Sequence, residues 1–413
     1  MVKDNQGRNA RNYNTIRVGF DARMVYYRQA GIGQYISNLL QEMANIDRSQ
    51  VDITIFQSRK QSYQPSQWLG HSYPSRKLWT PPHHRYEQLA LPLELALDGP
   101  TVFHSPDFIP PFQRWRWADW RPRRIASVIT IHDLAFLHYP ELLTAESASY
   151  YGQVKKAATS AELVIAVSQS TARDICAELG TPSEKVRVVY EAANPLFCPL
   201  PLAEVNRMSR KEALNITEKL GKFGIDSRDS FILFVSTIEP RKNLATLLKA
   251  FRAMLDELTE NEAAPKLVIA GREGWLYQDI YTLEKELRLE DNLVWLGEVS
   301  TTELLWLYNR AACLAMPSLY EGFGLPPLEA LACGLPVLVS HTSSLPEVVG
   351  EAGLKIPAQD VKGWKEALLE VWRKRQSYKA KTLIEGPIQA TRFSWHKAAA
   401  ETIEIYREAA GRI

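Results

Sequence analysis

Short apolar or β-branched runs alternate with helix-period stretches along most of this chain, and the alternation is played through twice. The first series holds Ile16–Asp21, Val51–Phe56, Thr101–His104, Ile125–His132, Leu163–Ser168 and Val186–Tyr190. The second holds Phe231–Thr237, Lys266–Gly271, Leu293–Gly297, Ala312–Pro317, Pro336–Ser340 and Gly353–Ile356. Between the runs, apolar residues recur at helical spacing, as in Tyr35, Leu39, Leu40 and Met43, or Leu244, Leu247, Leu248, Phe251 and Leu255. Such alternation predicts parallel sheets covered by helices on both faces. Two series predict an α/β chain of two Rossmann-like, doubly wound domains. At 413 residues the chain also exceeds the size at which one core stops growing. The boundary falls in Asn194–Glu204, which holds three prolines and little periodicity, giving domains over residues 1–198 and 199–390. The closing stretch, about His396 to Arg412, is helical in period and fits either domain.

Composition narrows the partners. The hydrophobic fraction of 46% and charged fraction of 23% are those of an ordinary globular protein, and a net charge of +2 gives no global field for nucleic acid. The four cysteines, Cys176, Cys198, Cys313 and Cys333, form no CxxC pair and read as reduced, mostly buried thiols. Met1–Thr15 is polar, without the apolar core of a signal peptide, and no run approaches a membrane span. The expectation is a cytoplasmic protein whose membrane contact, if any, is peripheral on the inner face.

The stretch Met316–Val339, MPSLYEGFGLPPLEALACGLPVLV, joins an apolar run to a β-type run through a glycine-proline unit. Glycines ahead of a proline-opened helix let a ligand approach backbone N–H groups at the positive end of the dipole. Glu321 and Glu329 flank that cradle, which suits a sugar nucleotide: hydroxyls to be read and a pyrophosphate to be held. The plainer reading is a common turn with a solvated helix charge. Glu239-Pro240-Arg241-Lys242-Asn243 follows the run Phe231–Thr237, with Asn243 placed to cap the next helix. Two cations where the helix dipole disfavours them imply an anion that joins them, pyrophosphate being the obvious candidate. His132 ends a strongly apolar run; there it either meets a sugar hydroxyl or exchanges a proton, or is a structural histidine bonded to backbone. Gly31-Ile32-Gly33 precedes the first amphipathic helix and offers amides from the opposite side, but the GxGxxG dinucleotide fingerprint is incomplete.

Gln113–Arg124, QRWRWADWRPRR, packs Arg114, Arg116, Arg121, Arg123, Arg124 and Trp115, Trp117, Trp120 into twelve residues. Such a segment suits anionic headgroups, a carbohydrate or lipid-linked acceptor, or single-stranded nucleic acid; equally, it is a surface loop whose tryptophans pack locally. The chain contains no Asp-x-Asp pair, zinc spacing, Walker A or GxSxG.

Taken in order, Gly31-Ile32-Gly33, Phe103-His104-Ser105-Pro106, His132-Asp133-Leu134, Ala166-Val167-Ser168, Glu239–Asn243 and Glu321…Glu329 resemble the retaining glycosyltransferases of family 4, from about Arg17 to Tyr406. The HDL and EPRKN forms look most like bacterial mannosyltransferases that build polysaccharides or glycolipids. The resemblance implies the GT-B fold, with residues from about 391 to 413 crossing back to the first domain. It implies that Arg241 and Lys242 hold the donor pyrophosphate with backbone at Gly33, Gly324 and Leu325. Glu329 would take the ribose, Glu321 with the backbone of Phe323 and Gly324 the sugar hydroxyls, and His132 the sugar near its reacting carbon. Thr237, Arg272, Trp295, Leu296 and Gly297 would lie around the nucleotide, and Ser236 stands where family members commonly have glycine. It implies no metal and no cofactor, a nucleotide-sugar donor read as GDP-mannose, and a glycan or lipid-linked acceptor. A sugar-nucleotide epimerase and a non-catalytic sugar-nucleotide-binding protein are the alternatives on the same scaffold.

Overall fold

The structure, a computed structural model, describes residues 15–27, 31–62, 64–71, 73–82, 84, 86–107, 110–112, 115–118, 121–140, 148, 150–201, 218, 220–222, 225, 230–274 and 277–413. Its strands are β1 Ile16–Asp21, β2 Val51–Ser58, β3 Ser75–Leu78, β4 Val102–Ser105, β5 Trp115–Ala118, β6 Arg121–Arg124, β7 Ala126–Ile131, β8 Leu163–Ala166 and β9 Val186–Val188, then β10 Ile232–Val235, β11 Leu267–Ala270, β12 Leu293–Gly297, β13 Cys313–Met316, β14 Val337–Ser340 and β15 Leu354–Ile356. The helices used below are α1 Ile32–Asn45, α2 Glu87–Asp98, α3 Gln169–Leu179, α4 Leu244–Glu257, α5 Thr301–Arg310, α6 Leu325–Ala332, α7 Arg375–Ala390 and α8 Trp395–Gly411.

Two parallel sheets form, in the orders β3-β2-β1-β4-β7-β8-β9 and β12-β11-β10-β13-β14-β15. Strands such as β7, β8, β10, β11 and β13 are buried at every residue, as strands covered on both faces must be. In each sheet the order reverses beside its first strand, between β1 and β4 and between β10 and β13. Ligands of doubly wound sheets bind beyond the carboxyl ends of the strands at such a reversal.

All twelve runs expected from the sequence contain a strand. β3 and the β5–β6 ribbon are additions. β3 reads SRKL, with Arg76 and Lys77 exposed, a charged edge that discourages further pairing and carries no strand-like alternation. The last helix, α8, packs on the first sheet: Trp395, Ala399, Ile403 and Tyr406 are buried with Tyr35, Ile36, Leu39 and Met43 of α1. Tyr406 also reaches His104 Nδ1 (2.7 Å), whose Nε2 lies 2.9 Å from Thr130 Oγ1; burial lowers that histidine to about 3, so it is neutral. Of the cysteines, Cys313 and Cys333 are buried, whereas Cys198 is exposed and Cys176 half-buried, so the expectation of mostly buried thiols holds for only half. Among the described residues no helix is long and apolar enough to cross a membrane.

Candidate functional site

At the β10/β13 reversal, β10 runs into Ser236–Glu239 and a 3-10 turn, Pro240–Lys242, before α4. Asn243 stands at the head of α4 in the left-handed region (φ 56°), but its side chain does not cap the helix. Instead Nδ2 donates to the carbonyls of Pro317 (3.0 Å) and Ala358 (2.7 Å), tying the turn to the segments after β13 and β15. This fixes Lys242, which is buried and donates from Nζ to both oxygens of Glu321, at 2.7 and 2.8 Å. Arg241 pairs through Nε with Glu239 (2.6 Å), and its NH1 lies 3.6 Å from Glu321 while donating to the Tyr320 carbonyl (3.3 Å).

The two cations are therefore met by carboxylates of the chain itself. Burial opposes the Glu321 charge, but Lys242 and then Arg241 outweigh it and hold the carboxyl below its ordinary value. Burial, followed by the charge of Arg241, lowers the Lys242 ammonium. Arg241 is held up against burial by Asp133, a residue of the first domain, and then by Glu321 and Glu239.

The loop that carries Glu321 is pinned by the residues after β14. Glu321 N–H donates to Ser343 Oγ (2.9 Å), and Ser344 Oγ stands 2.8 and 2.7 Å from the carbonyls of Glu321 and Phe323. Gly324, at φ 108°, then opens α6, where Pro326 and Pro327 lack amide hydrogens and leave Leu325 as the donor of that turn. One turn further on, Glu329 is buried and accepts from the Tyr308 hydroxyl of α5 (3.0 Å); burial pushes its carboxyl up to about 7.

Across from this loop lies the end of β7. His132 has acceptors at both ring nitrogens: Glu191 Oε1 at 2.9 Å from Nδ1 and the Pro106 carbonyl at 3.0 Å from Nε2. A neutral imidazole can donate from only one nitrogen, so this arrangement suits the imidazolium. Burial pulls its pKa down, but the hydrogen bond and charge of Glu191 outweigh that and raise it. Tyr35 of α1 packs edge-on against the ring, 4.8 Å between centroids. Of the two readings open from the sequence, the backbone partner is present, with a carboxylate added.

The domains touch at this point. A Cβ on Gly322 would lie 1.8 Å from the His132 carbonyl and 2.8 Å from Asp133 Cβ, so only glycine fits. Thr171 Oγ1 donates to the Gly322 carbonyl (3.1 Å), and Tyr320 donates to Asp174 (2.7 Å). Arg241, Lys242, Glu321 and His132 thus converge on one seam between the two sheets.

The remaining sequence candidates are placed as follows. Gly33 is buried in the first turn of α1, behind Gly31 (φ 54°). Thr237 is half-buried; beside it Gly271 presses on the Ser236 carbonyl, where a Cβ would sit at 1.8 Å, so the close backbone approach comes from Gly271 with serine at position 236. Arg272 is exposed, and its carbonyl accepts from Ile238 N–H (3.0 Å). Leu296 is buried on the same sheet face as α6, but Trp295 turns to the other face, its indole N–H 3.2 Å from Glu284. Phe323 and Leu325 join an apolar seam with Val167, Tyr190 and Phe393. Trp115, Arg116 and Trp117 lie on β5; Arg114 and Trp120 fall outside the described residues.

Several site neighbours gave no local signal. Glu191, Tyr308, Ser343 and Ser344 carry no motif, and only the fold brings them in. So too does a buried ion cluster after β1: Arg23 pairs with Asp21 (2.6 Å) and Glu87 (2.5 Å) and donates to the Thr80 carbonyl (2.9 Å).

Comparison with known proteins places the chain. Residues 30–195 match Glycosyltransferase Family 4 and residues 215–385 match Glycosyl transferases group 1. The chain is 29% identical over 307 residues to O-antigen chain mannosyltransferase B of Escherichia coli, covering 74% of each. It is 28% identical over 251 residues to the serotype-specific mannosyltransferase WbdA of Escherichia coli, covering 59% of the chain but spanning only 28% of that protein's length. Among solved structures, sucrose-phosphate synthase from Thermosynechococcus elongatus superposes with a TM-score of 0.72 at 19% identity, over 96% of this chain and 100% of that one. Anabaena HepE, solved with UDP and glucose, gives 0.68 at 16%, over 94% and 99%. With two matched domains on the GT-B fold, the chain belongs to the family 4 glycosyltransferases.

Proposed function

We propose that this protein is a retaining, metal-independent hexosyltransferase that moves mannose from GDP-mannose to a glycan or lipid-linked acceptor at the inner face of a membrane, with the domain boundary at residues 198–199. The observation that carries the reading is the Lys242–Glu321 pair, buried at the strand-order reversal and docked against His132 of the other domain. The mannosyl assignment leans on the relatives, which include O-antigen chain mannosyltransferases.

In this reading the bond from the sugar C1 to the diphosphate oxygen breaks, and the bond from C1 to the acceptor oxygen forms on the same face. The acceptor's proton passes to a diphosphate oxygen. Arg241 and Lys242 stabilise the charge that grows on the leaving diphosphate, which is where preorganised cations contribute most. Two of the three Lys242 N–H groups are held by Glu321, so the ammonium is already oriented and one N–H is left for phosphate. Glu321 receives the sugar hydroxyls, and Glu329 receives the ribose.

A thermal-shift panel tests the donor site: GDP-mannose, UDP-glucose, UDP-N-acetylglucosamine, ADP-glucose and dTDP-rhamnose with EDTA present, and NAD as control. Donor at about 100 times its dissociation constant adds about 2.7 kcal/mol of stability, an easily seen shift. A shift with GDP-mannose is expected. A flat panel, or a response to NAD alone, overturns the reading.

A further inference from the structure

Between β14 and the short helix Leu345–Val349 stand three hydroxyl residues in a row, Thr342, Ser343 and Ser344. A serine at the head of a helix ordinarily turns its hydroxyl onto the first amides of that helix. Ser344 holds the cap position here and makes no such bond. With Ser340, these residues reach across to Ser318–Phe323, the loop that carries Glu321. Ser340 and Thr342 donate to the Ser318 carbonyl, Thr342 at 3.1 Å. Ser344 Oγ stands against the carbonyls of Glu321 and Phe323, and Ser343 Oγ accepts the Glu321 N–H at 2.9 Å. Hydroxyls placed to serve their own turn serve the neighbouring one instead.

Ser343 is also held against its own backbone preference. Its φ is 47°, in the left-handed region, where an L-residue crowds its Cβ and glycine would sit more easily. Among the described residues Gln50, Asn243, Arg288 and Ser343 are the non-glycine residues so placed, and two of the four, Asn243 and Ser343, lie at this site. Backbone strain that persists at a site points to a side chain that is needed there.

The bond falls on one peptide group. In a trans peptide the carbonyl and the following N–H point in opposite directions. The Tyr320–Glu321 peptide has its N–H on Ser343 Oγ and its carbonyl on Arg241 NH1, 3.3 Å away, so it is gripped from both edges. That peptide sets the direction in which the Glu321 side chain leaves the backbone toward Lys242 Nζ, 2.7 Å from its carboxylate. The cations have other holders. Arg241 Nε pairs with Glu239 (2.6 Å), and Asn243 ties down the turn that carries Lys242. Loss of the Ser343 hydroxyl therefore frees the Glu321 peptide and leaves the cation pair in place.

We propose that Ser343 is a positioning residue for sugar recognition. Its hydroxyl fixes the Tyr320–Glu321 peptide so that Glu321 meets the hydroxyls of the donor hexose, and the left-handed backbone is kept because it brings that hydroxyl into range. The inference rests on the donor-site reading and adds a residue that acts on the sugar half of the donor and not on its diphosphate half.

The test is isothermal titration of GDP-mannose and of GDP into the full chain, as wild type, Ser343→Ala and Ser343→Gly. Both variants lose the hydroxyl, and glycine alone also relieves the strain. Both are expected to bind GDP-mannose about five- to tenfold more weakly, the scale of one hydrogen bond, with GDP affinity changed by less than about twofold. The glycine variant is expected to melt about 2 °C above the alanine variant, although the two bind alike. If Ser343 serves only the shape of its own turn, the glycine variant binds GDP-mannose as wild type does and alanine alone falls; that result overturns the proposal. An equal loss for GDP and GDP-mannose overturns it too, since the whole site has then loosened. Either result leaves the donor-site reading standing. A wild-type chain that binds neither ligand sinks that reading and the proposal together.

Discussion

Lys242 and Glu321 are 79 positions apart and meet as a buried ion pair. Replacing the lysine leaves a buried carboxylate without its main partner and, under the proposed function, takes an ammonium from the donor diphosphate. Lys242→Ala is expected to lower kcat by about 3 kcal/mol of transition-state stabilisation, roughly a hundredfold or more, in a steady-state assay. Glu329 makes a prediction of the opposite kind. Its carboxyl is raised, so folding favours the protonated form. That contribution is complete below the ordinary value of 4.5 and is lost as pH rises through about 7. Glu329→Gln should therefore flatten the fall in thermal stability between about pH 5 and 8, by up to ~3 kcal/mol, while weakening donor binding. His132 is also raised, by Glu191, and its contribution is present below the ordinary histidine value of 6.5 and lost as pH climbs past the raised one. Glu191→Gln should cost about 1.5–3 kcal/mol near pH 6 and less near pH 9, as thermal midpoints would show. The motif residues were legible because glycine, proline and paired charges make unusual local demands. Glu191 and Tyr308 were not, because a lone glutamate or a helical tyrosine looks the same whether its partner is water or a buried group far along the chain.

At the scale of elements, runs buried on both faces were readable because burial fills them mostly with apolar and β-branched residues. β3 escaped because its middle residues are solvent-facing cations, and the β5–β6 ribbon because each strand is only four residues long and Pro122 sits inside the second. The head of α4 was read as an Asn cap. The residue is right and the device is different: a left-handed backbone and two bonds to neighbouring segments. Asn243→Gly keeps the backbone and loses the bonds, whereas Asn243→Ala loses both. Denaturant unfolding should rank wild type above the glycine variant and the glycine variant above alanine, with about 2–4 kcal/mol between the extremes.

Across the whole molecule, the seam near Phe393 is held by polar bonds as well as apolar packing. Glu347, from the helix after β14, accepts the N–H groups of Gln169 (3.1 Å) and Ser170 (3.0 Å) at the head of α3, and the Tyr190 hydroxyl (3.2 Å). Its charge faces the positive end of that helix. Glu347→Ala should loosen the two bodies: small-angle scattering would show a larger radius of gyration with unchanged circular dichroism, and an unchanged radius would remove Glu347 as a domain pin. Two Rossmann-like units were visible from the alternation of runs, but the period of the last helix was silent about which sheet it covers. That helix completes a hydrophobic cluster that begins near Val18. The consequence is one of timing. A ribosome releases the first sheet long before α8 exists, so α1 must wait with one flank unfinished while the entire second sheet is made. The unit encoded in the middle of the chain can close first, and the unit encoded at the start closes last. Truncation just before α8 should therefore leave product that is competent in its second half and aggregation-prone in its first.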